Sequence, residues 1–526
     1  MGIYLNPGNR GFQKILQSEY VDKTGLIALI NKTIGTMGML TCISRPRRFG
    51  KSYAAKMLCA YYDCSCDSHA LFDDKKIAQS PEYREHLNQY HIIDIDVTGF
   101  ISLAKRKGVP LKDVPNWISD AIQAELKEIY PECIREKLTD SLIRCVDRTG
   151  RSFIFIIDEW DALIREAKED SETQQRYLNL LREWFKNNNF TPHVVAAAYM
   201  TGILPIKKDG SQSAISDFRE YTILNPGRFV EFTGFTESEV RQLCTKYGMP
   251  FEEIRQWYDG YDFPGYESIY NPYSVMCAIE AHECCSYWQK TSAAESLMTY
   301  INMDFEGLQE IIARLIAGEE IEVRTNRFSN DFETFRSRDD VLTLLIHLGY
   351  LTWNREDKIA HIPNEEVRME FEEILDGTGR SQKWITLIDH SRKLLEATIA
   401  GNAAAVAKAI EKIRDTQYAP TFYNDEQAMQ YVIKFAYIAA IDQYLKAEEL
   451  PSGKGIADVV YLPKRKSSLP ALVVELKWNK SSEGAIRQIK ERNYPAVLKD
   501  YGGEIVIVGI NYDPKKKAHS CVIERI

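Results

Sequence analysis

CISRPRRFGKS, at residues 42–52, is the stretch of sequence that decides the fold of this chain. An apolar run at residues 39–43 leads into it and predicts a buried strand. Residues 52–62 follow with apolar side chains at helical spacing. A strand, a Gly-Lys-Ser turn and a helix form the end of the phosphate-binding loop G-x-x-x-x-G-K-[ST], where backbone N–H groups and the helix dipole favour an anion. The stretch therefore predicts a site for nucleotide phosphates.

The residue types of this loop suit separate tasks in nucleotide binding. Gly50 permits close approach of the backbone, Lys51 can reach the terminal phosphates, and the Ser52 hydroxyl can ligate Mg²⁺. The general motif has a glycine six residues before the lysine. This chain has Arg45 there, so a basic surface loop is the alternative interpretation. The loop residues predicted to bind the nucleotide are Arg45, Pro46, Arg47, Arg48, Phe49, Gly50, Lys51 and Ser52.

A second element supports the nucleotide site. Residues 153–159, FIFIIDE, are an apolar run that ends in two acids, as does the strand that carries the magnesium-side acid in nucleotide hydrolases. We expect Asp158 to hold Mg²⁺ through water and Glu159 to orient or deprotonate the attacking water. The alternative is a buried strand that ends in a solvated acidic turn.

Strands alternate with helices through this part of the chain, which predicts a mostly parallel, doubly wound sheet with its ligand at the carboxyl ends of the strands. The run at residues 193–202 predicts another core strand. Thr201 near its end is either a polar sensor of the γ-phosphate or a turn residue. Residues 203–280 are interpreted as the end of this domain and a helical lid. Arg219 and Arg228 are candidates for a γ-phosphate contact, with a structural role as the alternative.

Several stretches together resemble the AAA-ATPase-like family. They are residues 20–24 (YVDKT), 45–52 (RPRRFGKS), 157–161 (IDEWD), 232–236 (FTGFT), 257–261 (WYDGY) and 270–274 (YNPYS). The resemblance covers most of residues 10–280, and an arginine at position 45 is the norm in that family. It implies ATP as ligand, Mg²⁺ as cofactor and a bacterial source. Members of the family often carry a C-terminal domain of the PD-(D/E)XK nuclease superfamily.

The C-terminal part of the chain carries a second group of residues suited to chemistry. Residues 455–461 predict a strand with Asp458 in its middle, and residues 471–477 predict a second strand. Glu475 and Lys477 are two residues apart, so they point to the same face, and a hairpin would bring Asp458 beside them. Two carboxylates can hold a divalent cation, and a neighbouring lysine can position or activate a water.

Residues 425–510 resemble the D…E-x-K core of the PD-(D/E)XK nucleases. The matching residues are Asp458, Glu475 and Lys477, with Glu426 upstream and with Gln488 and Tyr494 downstream. The resemblance implies that Asp458 and Glu475 bind Mg²⁺ and that both acids act in catalysis together with Lys477 and Gln488. A same-face ion pair formed by chance is one alternative, and a nuclease fold without activity is the other.

Composition places the chain among soluble globular proteins, with 44% hydrophobic and 27% charged residues. No apolar run reaches the roughly 18 residues that cross a bilayer, so no membrane partner is expected. Cys residues number 11, without a paired C-x-x-C, which indicates reduced thiols and a cytoplasmic location. The net charge is −9, yet residues 451–526 hold 14 Lys and Arg against 8 Asp and Glu. That basic segment is compatible with a nucleic-acid partner or with a solvated face.

We predict three domains from these patterns. The first, at residues 1–285, is the AAA-ATPase-like P-loop domain with its lid. The second, at residues 286–384, is a winged-helix-like connector, because residues 341–348 have helical spacing and residues 349–363 resemble a hairpin. The third, at residues 385–526, is the nuclease-like domain with an α/β, restriction-endonuclease-like fold.

Two functions remain open from the sequence. In the first, ATP binding or hydrolysis gates or moves a Mg²⁺-dependent nuclease that acts on nucleic acid, with DNA favoured over RNA. In the second, the protein is a nucleotide-controlled switch or scaffold, and its nuclease-like domain binds nucleic acid or a protein partner without cleavage. Intact Asp458, Glu475 and Lys477 favour the first, whereas Arg45 in place of the glycine favours slow turnover and the second. The sequence also leaves a homo-oligomer open.

Overall fold

A computed structural model gives the fold of most of the chain. It describes residues 2–167, 170–206, 208–209, 212–213, 215, 217–263, 265–288, 308–316, 318–328, 337–376, 381–417, 429, 432–433, 436–437, 440, 444–452, 455–463, 469–491 and 503–526. The chain divides into two compact units. The first unit comprises Met1–Glu306 and Glu322–Val367, and the second comprises Gly307–Ile321 and Arg368–Ile526. The three-domain division made from the sequence stays a prediction.

Helices and strands follow one another as the sequence patterns indicate. The α-helices are α1 Arg10–Leu16, α2 Gly25–Asn31, α3 Lys51–Tyr62, α4 His69–Phe72, α5 Tyr83–His86, α6 Val97–Lys107, α7 Val114–Ile129, α8 Leu138–Thr149, α9 Ala162–Glu166, α10 Ser171–Phe185, α11 Thr191–Val194, α12 Glu237–Tyr247, α13 Phe251–Tyr258, α14 Pro272–Ala281, α15 Leu308–Ile316, α16 Arg338–Leu348, α17 Glu365–Asp376, α18 Ser381–Ile399, α19 Ala403–Gln417 and α20 Ser482–Glu491. The strands are β1 Leu40–Ser44, β2 His91–Asp96, β3 Phe153–Asp158, β4 Val195–Gly202, β5 Lys208–Asp209, β6 Gln212–Ser213, β7 Arg219–Tyr221, β8 Phe235–Thr236, β9 Tyr261–Phe263, β10 Tyr266–Tyr270, β11 Ile321–Glu322, β12 Thr352–Asn354, β13 Ile359–His361, β14 Tyr444–Ser452, β15 Gly455–Pro463, β16 Ala471–Trp478, β17 Ile505–Asp513 and β18 Ala518–Arg525.

Five parallel strands form the main sheet of the first unit, in the order β2-β3-β4-β1-β7. Strands β1, β3 and β4 are buried along their whole length, because hydrophobic cores cover both faces of the sheet. Along β3, Phe153, Phe155 and Ile157 join one core, and Ile154 and Ile156 join the other. The predicted parallel, doubly wound sheet is confirmed.

The carboxyl ends of the central strands meet at one rim of this sheet. Strand β1 ends beside β4, with Ser44 opposite Gly202. On the other side of β4, the register with β3 sets the end of that strand, Asp158, beside Thr201. Helix α3 begins at Lys51, after the loop that leaves β1. The rim therefore gathers the three parts of the predicted nucleotide site.

The start of β4 differs from the strand predicted at residues 193–202. Residues Thr191–Val194 form the short helix α11 instead, and the strand begins at Val195. Pro192 lies in the first turn of that helix, where its missing N–H and fixed φ are tolerated. The short apolar run did not separate these two states, because periodicity alone does not distinguish a buried strand from a buried helical turn.

The predicted lid contains helices and a small sheet. Helices α12, α13 and α14 pack together around their own hydrophobic core, beside the antiparallel strands β8-β10-β9. Thr236 and Glu239 form a reciprocal capping box at the start of α12. Asn271 caps α14 through its side chain, which accepts a hydrogen bond from the backbone N–H of Tyr273. These caps fix the helix ends that face the nucleotide loop.

The helix and hairpin predicted for the connector are present as α16 and as the antiparallel pair β12-β13. Gly349 ends α16 with φ +87°, a left-handed conformation that side chains rarely adopt. A Cβ atom there would lie 2.6 Å from Cβ of Pro46. The glycine thus allows the end of α16 to pack directly on the nucleotide loop.

A mixed five-stranded sheet forms the centre of the second unit, in the order β14-β15-β16-β17-β18. Strands β16 and β17 are parallel, and the other pairs are antiparallel. Residues of α18 and α19 share a hydrophobic core with one face of the sheet, and residues of α20 share a core with the other. Gly401, with φ +76°, lies between α18 and α19 at the predicted break. The predicted α/β fold of this part is confirmed.

Candidate active sites

The loop between β1 and α3 has the backbone that its glycine requires. Gly50 has φ +80° and forms the N-cap of α3, and Arg48 also has a positive φ of 69°. A side chain at position 50 would meet open space but a strained backbone. Lys51 is buried, and burial lowers its pKa, although the charges of Glu159 and Asp158 act in the opposite direction. Its Nζ donates to the carbonyls of Arg45 at 3.0 Å and Pro46 at 2.7 Å.

Arg45 contacts the end of β1, β7 and the lid. Its side chain is fully buried, and Nη1 donates to the carbonyls of Ser44 at 2.9 Å and Tyr221 at 3.0 Å. The guanidinium lies 5.5 Å from the ring centroid of Phe263, and burial lowers its pKa to about 10. Arg45 therefore ties the loop to β7 and to the lid. Arg45, Pro46 and Arg47 are absent from the described lining of the cavity beside α3.

That cavity has a volume of about 420 Å³. One end is lined by Arg48, Phe49, Gly50, Lys51, Ser52 and Glu159, and the other by side chains that include Tyr20, Val21, Met57, Phe232, Phe235 and Met276. The first end carries backbone N–H groups and charge. The remaining lining is mostly apolar and aromatic, although it also includes Ser18, Glu19, Lys23 and Glu280. The apolar end comes largely from the lid and the lead-in segment, whose contribution the sequence analysis missed. The stretches FTGFT and YNPYS marked those lid residues without indicating where they would lie.

Arg48 and Phe49 connect the loop with the lid. Arg48 Nη1 donates to the carbonyl of Tyr287 at 2.6 Å, and its guanidinium lies 4.3 Å from the ring centroid of Tyr273. The ring of Phe49 packs edge-on against Tyr261 with the centroids 5.0 Å apart. Arg48, which the sequence analysis assigned to the nucleotide, is thus engaged with protein groups in this structure.

Thr201 organises the acidic end of β3. Its hydroxyl donates to a carboxylate oxygen of Asp158 and accepts a hydrogen bond from the backbone N–H of Glu159 at 3.3 Å. The carbonyl of Thr201 accepts from the N–H of Trp160 at 2.8 Å. The sequence left Thr201 as either a sensor of the γ-phosphate or a turn residue. In this structure its hydroxyl bonds to the Asp158 carboxylate and to the backbone N–H of Glu159, and its role towards a nucleotide stays a prediction.

Glu159 has a left-handed backbone, with φ +52°, and its side chain lines the cavity. Its Oε2 accepts a hydrogen bond from Arg165 Nη2 at 2.7 Å. Burial acts to raise the pKa of Glu159, but the charges of Lys51, Arg165 and Arg47 outweigh it and leave the pKa below its ordinary value. Glu159 is therefore ionised and held by an ion pair at neutral pH.

Two more acids stand at the same rim and were not predicted. Asp96 ends β2 opposite Asp158, and burial raises its pKa, with Asp158 adding to the effect. Asp94 is buried and bonds Lys56 Nζ at 2.5 Å. The run HIIDID, whose acids interrupt an apolar strand, is the signal that could have identified them.

Neither arginine named as a γ-phosphate contact lines the described cavity. Arg219 is exposed on β7, and its guanidinium packs against Gly38. Arg228 is also exposed and lies over the ring of Phe229 at 5.5 Å. Their role towards a nucleotide remains a prediction.

In the second unit, three predicted residues come together on one face of the sheet. Lys477 Nζ lies 2.8 Å from Oε1 of Glu475, and Gln488 Nε2 from α20 donates to the same oxygen. Glu475 is 1% exposed and Lys477 is 9% exposed, so the pair is shielded from bulk water. In the register of β16 and β17, Glu475 lies opposite Gly509.

Gly509 explains how α20 comes so close to the sheet. A Cβ atom at this position would lie 2.5 Å from the carbonyl oxygen of Ser482 and 3.0 Å from Cβ of Ala485. Only a glycine leaves room for the helix at this distance. Its absence of a side chain therefore helps to bring Gln488 to Glu475.

The backbone sets Asp458 next to this group. Asp458 precedes Val459 in β15, and Val459 pairs with Val474, the residue before Glu475. The side chain of Asp458 lies outside the described part of the structure, as do Glu426 and Tyr494. Among the described side chains, no cluster of three or more His, Cys, Asp or Glu could hold a metal ion.

Residues 8–211 match the model of a predicted AAA-ATPase family, and residues 424–520 match the PD-(D/E)XK nuclease superfamily. The chain thus carries an AAA-ATPase-like domain and a PD-(D/E)XK nuclease superfamily domain, as the sequence resemblance indicated. In the described residues, no helix combines the length and the apolar character needed to cross a membrane.

The chain is similar to the protein called "Uncharacterized protein in vnfD 5'region" from Azotobacter chroococcum mcd 1, with 23% identity over 376 residues. This match covers 69% of the chain and 66% of that protein, so slightly less than two thirds of the relative is spanned. Among solved structures, the Aeropyrum pernix ORC2 protein in its ADPNP–ADP complexes matches 70% of the chain and 98% of its own, at 11% identity and a TM-score of 0.27. A TM-score this low carries no argument about this chain.

Proposed function

We propose that this protein binds and hydrolyses ATP, and that the ATPase controls a magnesium-dependent nuclease-like domain that acts on nucleic acid, with DNA favoured over RNA. The observation that carries the proposal is that Lys51 and Glu159 line one cavity at the rim where β1 and β3 end, with Asp158 beside them. The family matches at residues 8–211 and 424–520 support the pairing of the two activities.

The cavity fits ATP in both size and lining. Its volume of about 420 Å³ falls within the roughly 300–1,000 Å³ typical of ligand pockets. We assign the phosphates to the end at Gly50 and Lys51, where the start of α3 favours an anion. We assign the base to the apolar end, where Tyr20 and Phe235 offer aromatic surface.

Oxygen donors at the same rim fit a magnesium ion. The Ser52 hydroxyl and the Asp158 carboxylate are the candidate ligands, because Mg²⁺ prefers oxygen and uses few protein ligands in nucleotide sites. Bound Mg²⁺ would supply charge neutralisation at the phosphates. Glu159 is the proposed base, and it would accept the proton of the attacking water.

In the second unit we assign Asp458 and Glu475 as ligands of a divalent cation. Lys477 would position or activate the water that attacks a phosphodiester, and Gln488 would hold Glu475. The support is the convergence of Lys477 and Gln488 on one oxygen of Glu475. A bound cation would supply charge neutralisation at the phosphodiester.

A second candidate is the nucleotide-controlled switch, in which the nuclease-like domain binds nucleic acid or a protein without cleaving it. Two observations favour it. The side chain of Arg45 is fully buried at the position where the general motif has glycine, and Lys51 donates to two carbonyls of its own loop. A loop closed on itself in this way favours slow turnover.

Nucleotide titration tests the binding site that both candidates share, and a cleavage assay separates the two. We expect Lys51→Ala to weaken ATP binding by roughly 100-fold, since it removes a charged donor from the phosphates. Glu159→Gln keeps the shape of the side chain, so it should bind ATP normally and turn over about 10²-fold more slowly. Lys105→Ala is the control, because Lys105 is an exposed lysine paired with Glu166 at 2.5 Å.

Calorimetry measures ATP binding, and DNA and RNA are tested with Mg²⁺ or Mn²⁺ in the presence and absence of ATP. Unchanged ATP affinity in Lys51→Ala would contradict the nucleotide site. If neither DNA nor RNA is cleaved under any of these conditions, the proposed nuclease activity is contradicted. The nucleotide-controlled switch then remains as the candidate function.

A further inference from the structure

Arg165 connects the two acids that follow β3. It lies on α9, the short helix directly after that strand. Its Nη2 donates to Glu159 Oε2 at 2.7 Å, and its Nε donates to Asp161 Oδ2 at 3.0 Å. The Arg165 side chain is 16% exposed, so both pairs are largely shielded from bulk water and salt.

Hydrogen bonds hold the backbone around Glu159 in place, so the orientation of its side chain is what remains to be set. The hydroxyl of Thr201 accepts a hydrogen bond from the N–H of Glu159, and the carbonyl of Thr201 accepts one from the N–H of Trp160. The carboxylate has one short contact among the described residues, the bond to Arg165. The hydroxyl of Thr98 lies at 3.5 Å, the outer limit for a hydrogen bond, and the charges of Lys51 and Arg47 act on the same carboxylate.

Asp161 anchors Arg165 in turn. Asp161 is 1% exposed, and its Oδ2 accepts from the backbone N–H groups of Ile203 at 3.2 Å and Leu204 at 3.0 Å. These two residues follow β4. The carboxylate of Glu159 is thus supported through Arg165 and Asp161 by the end of a central strand.

We propose that Arg165 is a positioning residue for ATP hydrolysis, which holds the carboxylate of Glu159 in the orientation that accepts a proton from the attacking water. The inference rests on the proposed ATPase function. Arg165 is absent from the described lining of the cavity, whereas Glu159 belongs to it. The arginine therefore acts through Glu159 and does not contribute to nucleotide binding.

The chemistry of the guanidinium explains why an arginine is needed. Its planar group offers several donors in a fixed geometry, so that one residue can bond two carboxylates at once. A lysine at this position would keep the charge but present a single ammonium, which cannot match both directions. We therefore expect Arg165→Lys to keep the fold and to recover only part of the function.

The test measures kcat, KM and calorimetric ATP affinity for the full-length protein. For Arg165→Met we expect kcat to fall about 10- to 100-fold, as for a misplaced catalytic group, with KM and affinity within about twofold of wild type. Arg165→Lys should lie between. Arg176→Met is the matched control and should change nothing, because Arg176 forms a 2.7 Å pair with Glu172 on the exposed surface of α10.

A double variant separates positioning from general destabilisation. If Arg165 acts through Glu159, Arg165→Met added to Glu159→Gln should cause no further loss of kcat. Melting temperatures of all variants confirm that they are folded.

Three results would overturn the inference: an unchanged or higher kcat in Arg165→Met, a change confined to KM, or additive losses in the double variant. A wild-type protein that binds ATP without turning it over would contradict the proposed ATPase itself and this inference with it. A wild type that turns over ATP, matched by Arg165→Met, contradicts only the role of Arg165.

Discussion

The two acidic sites of this protein are built in different ways. In the second unit, Glu475 and Lys477 bond to each other from two positions apart on one strand, and Gln488 comes from the helix that follows. In the first unit, Glu159 depends on Thr201, which is 42 residues further along the chain. A site built from sequence neighbours is visible in spacing, whereas a site built from distant elements depends on the whole fold.

The largest expected effect concerns Asp458, the member of the second site that rests on the sequence and the backbone position alone. Asp458→Ala should abolish metal binding and cleavage, because it removes one of two proposed ligands. Neighbouring carboxylates repel each other without a cation, so stability in metal-free buffer should stay equal or rise. Cleavage and thermal melting with and without Mg²⁺ measure both effects. Cleavage at the wild-type rate would contradict the assignment of Asp458 to this site.

A smaller effect is expected from Gly509→Ala, which tests whether the site also depends on helix packing. The added methyl group would meet the carbonyl of Ser482, and overpacking of this kind costs about 1–3 kcal/mol. It should also move Gln488 away from Glu475 and reduce cleavage. Urea unfolding and the cleavage assay are the measurements.

Gly484→Ala is the matched control, because Gly484 lies in the first turn of α20, where an added Cβ would meet only the end of a flexible side chain, Ser481 Oγ at 3.1 Å. Gly484→Ala should therefore change the free energy of unfolding much less than Gly509→Ala does. Equal stability of the two variants would show that α20 can shift at no cost in stability. The arrangement of Glu475 and Lys477 would then not depend on the packing of this helix.

The smallest effect is a pH dependence of the first unit, whose buried His91 joins distant segments. Its Nδ1 lies 3.2 Å from Asn6 Nδ2, and its Nε2 lies 3.2 Å from the Thr149 hydroxyl. Burial lowers the pKa of His91 to about 4, and the charge of Arg151 contributes further. The unfolded chain, with the ordinary pKa near 6.5, takes up the proton first, so stability falls as pH drops from about 6.5 to 4.

We expect the free energy of unfolding to be about 2 kcal/mol lower at pH 5 than at pH 7.5 from this group alone. Denaturant unfolding of the wild type and of His91→Gln measures the difference. The variant should lose that part of the slope. An identical pH slope in both proteins would exclude His91 as its source.

Sequence spacing predicted the parts of each site that depend on local geometry. Lys51 at the start of a helix, Asp158 at the end of a strand, and Glu475 beside Lys477 all follow from periodicity within one element. The buried position of Arg45 could not be predicted in the same way, because it depends on β7 and the lid, to which the side chain bonds and packs. Its assignment to the nucleotide is unsupported by the described cavity lining, and its role there stays a prediction.

The non-local contacts of the first site needed the fold. Arg165 is an ordinary helical residue by its spacing, and its role emerges only when Glu159 turns back through a left-handed backbone. The apolar end of the cavity likewise comes in part from the lid, which lies far along the chain. Recurrent motifs marked these stretches, but motifs do not indicate distances between elements.

The two hydrogen bonds from Lys51 to the carbonyls of Arg45 and Pro46 have a kinetic consequence. If ATP binds at this loop as proposed, its phosphates have to displace these carbonyls from the Lys51 ammonium. Binding would then take two steps, an encounter and a rearrangement of the loop. The observed association rate should level off at high ATP concentration, at a ceiling that reports how fast the loop releases its own lysine.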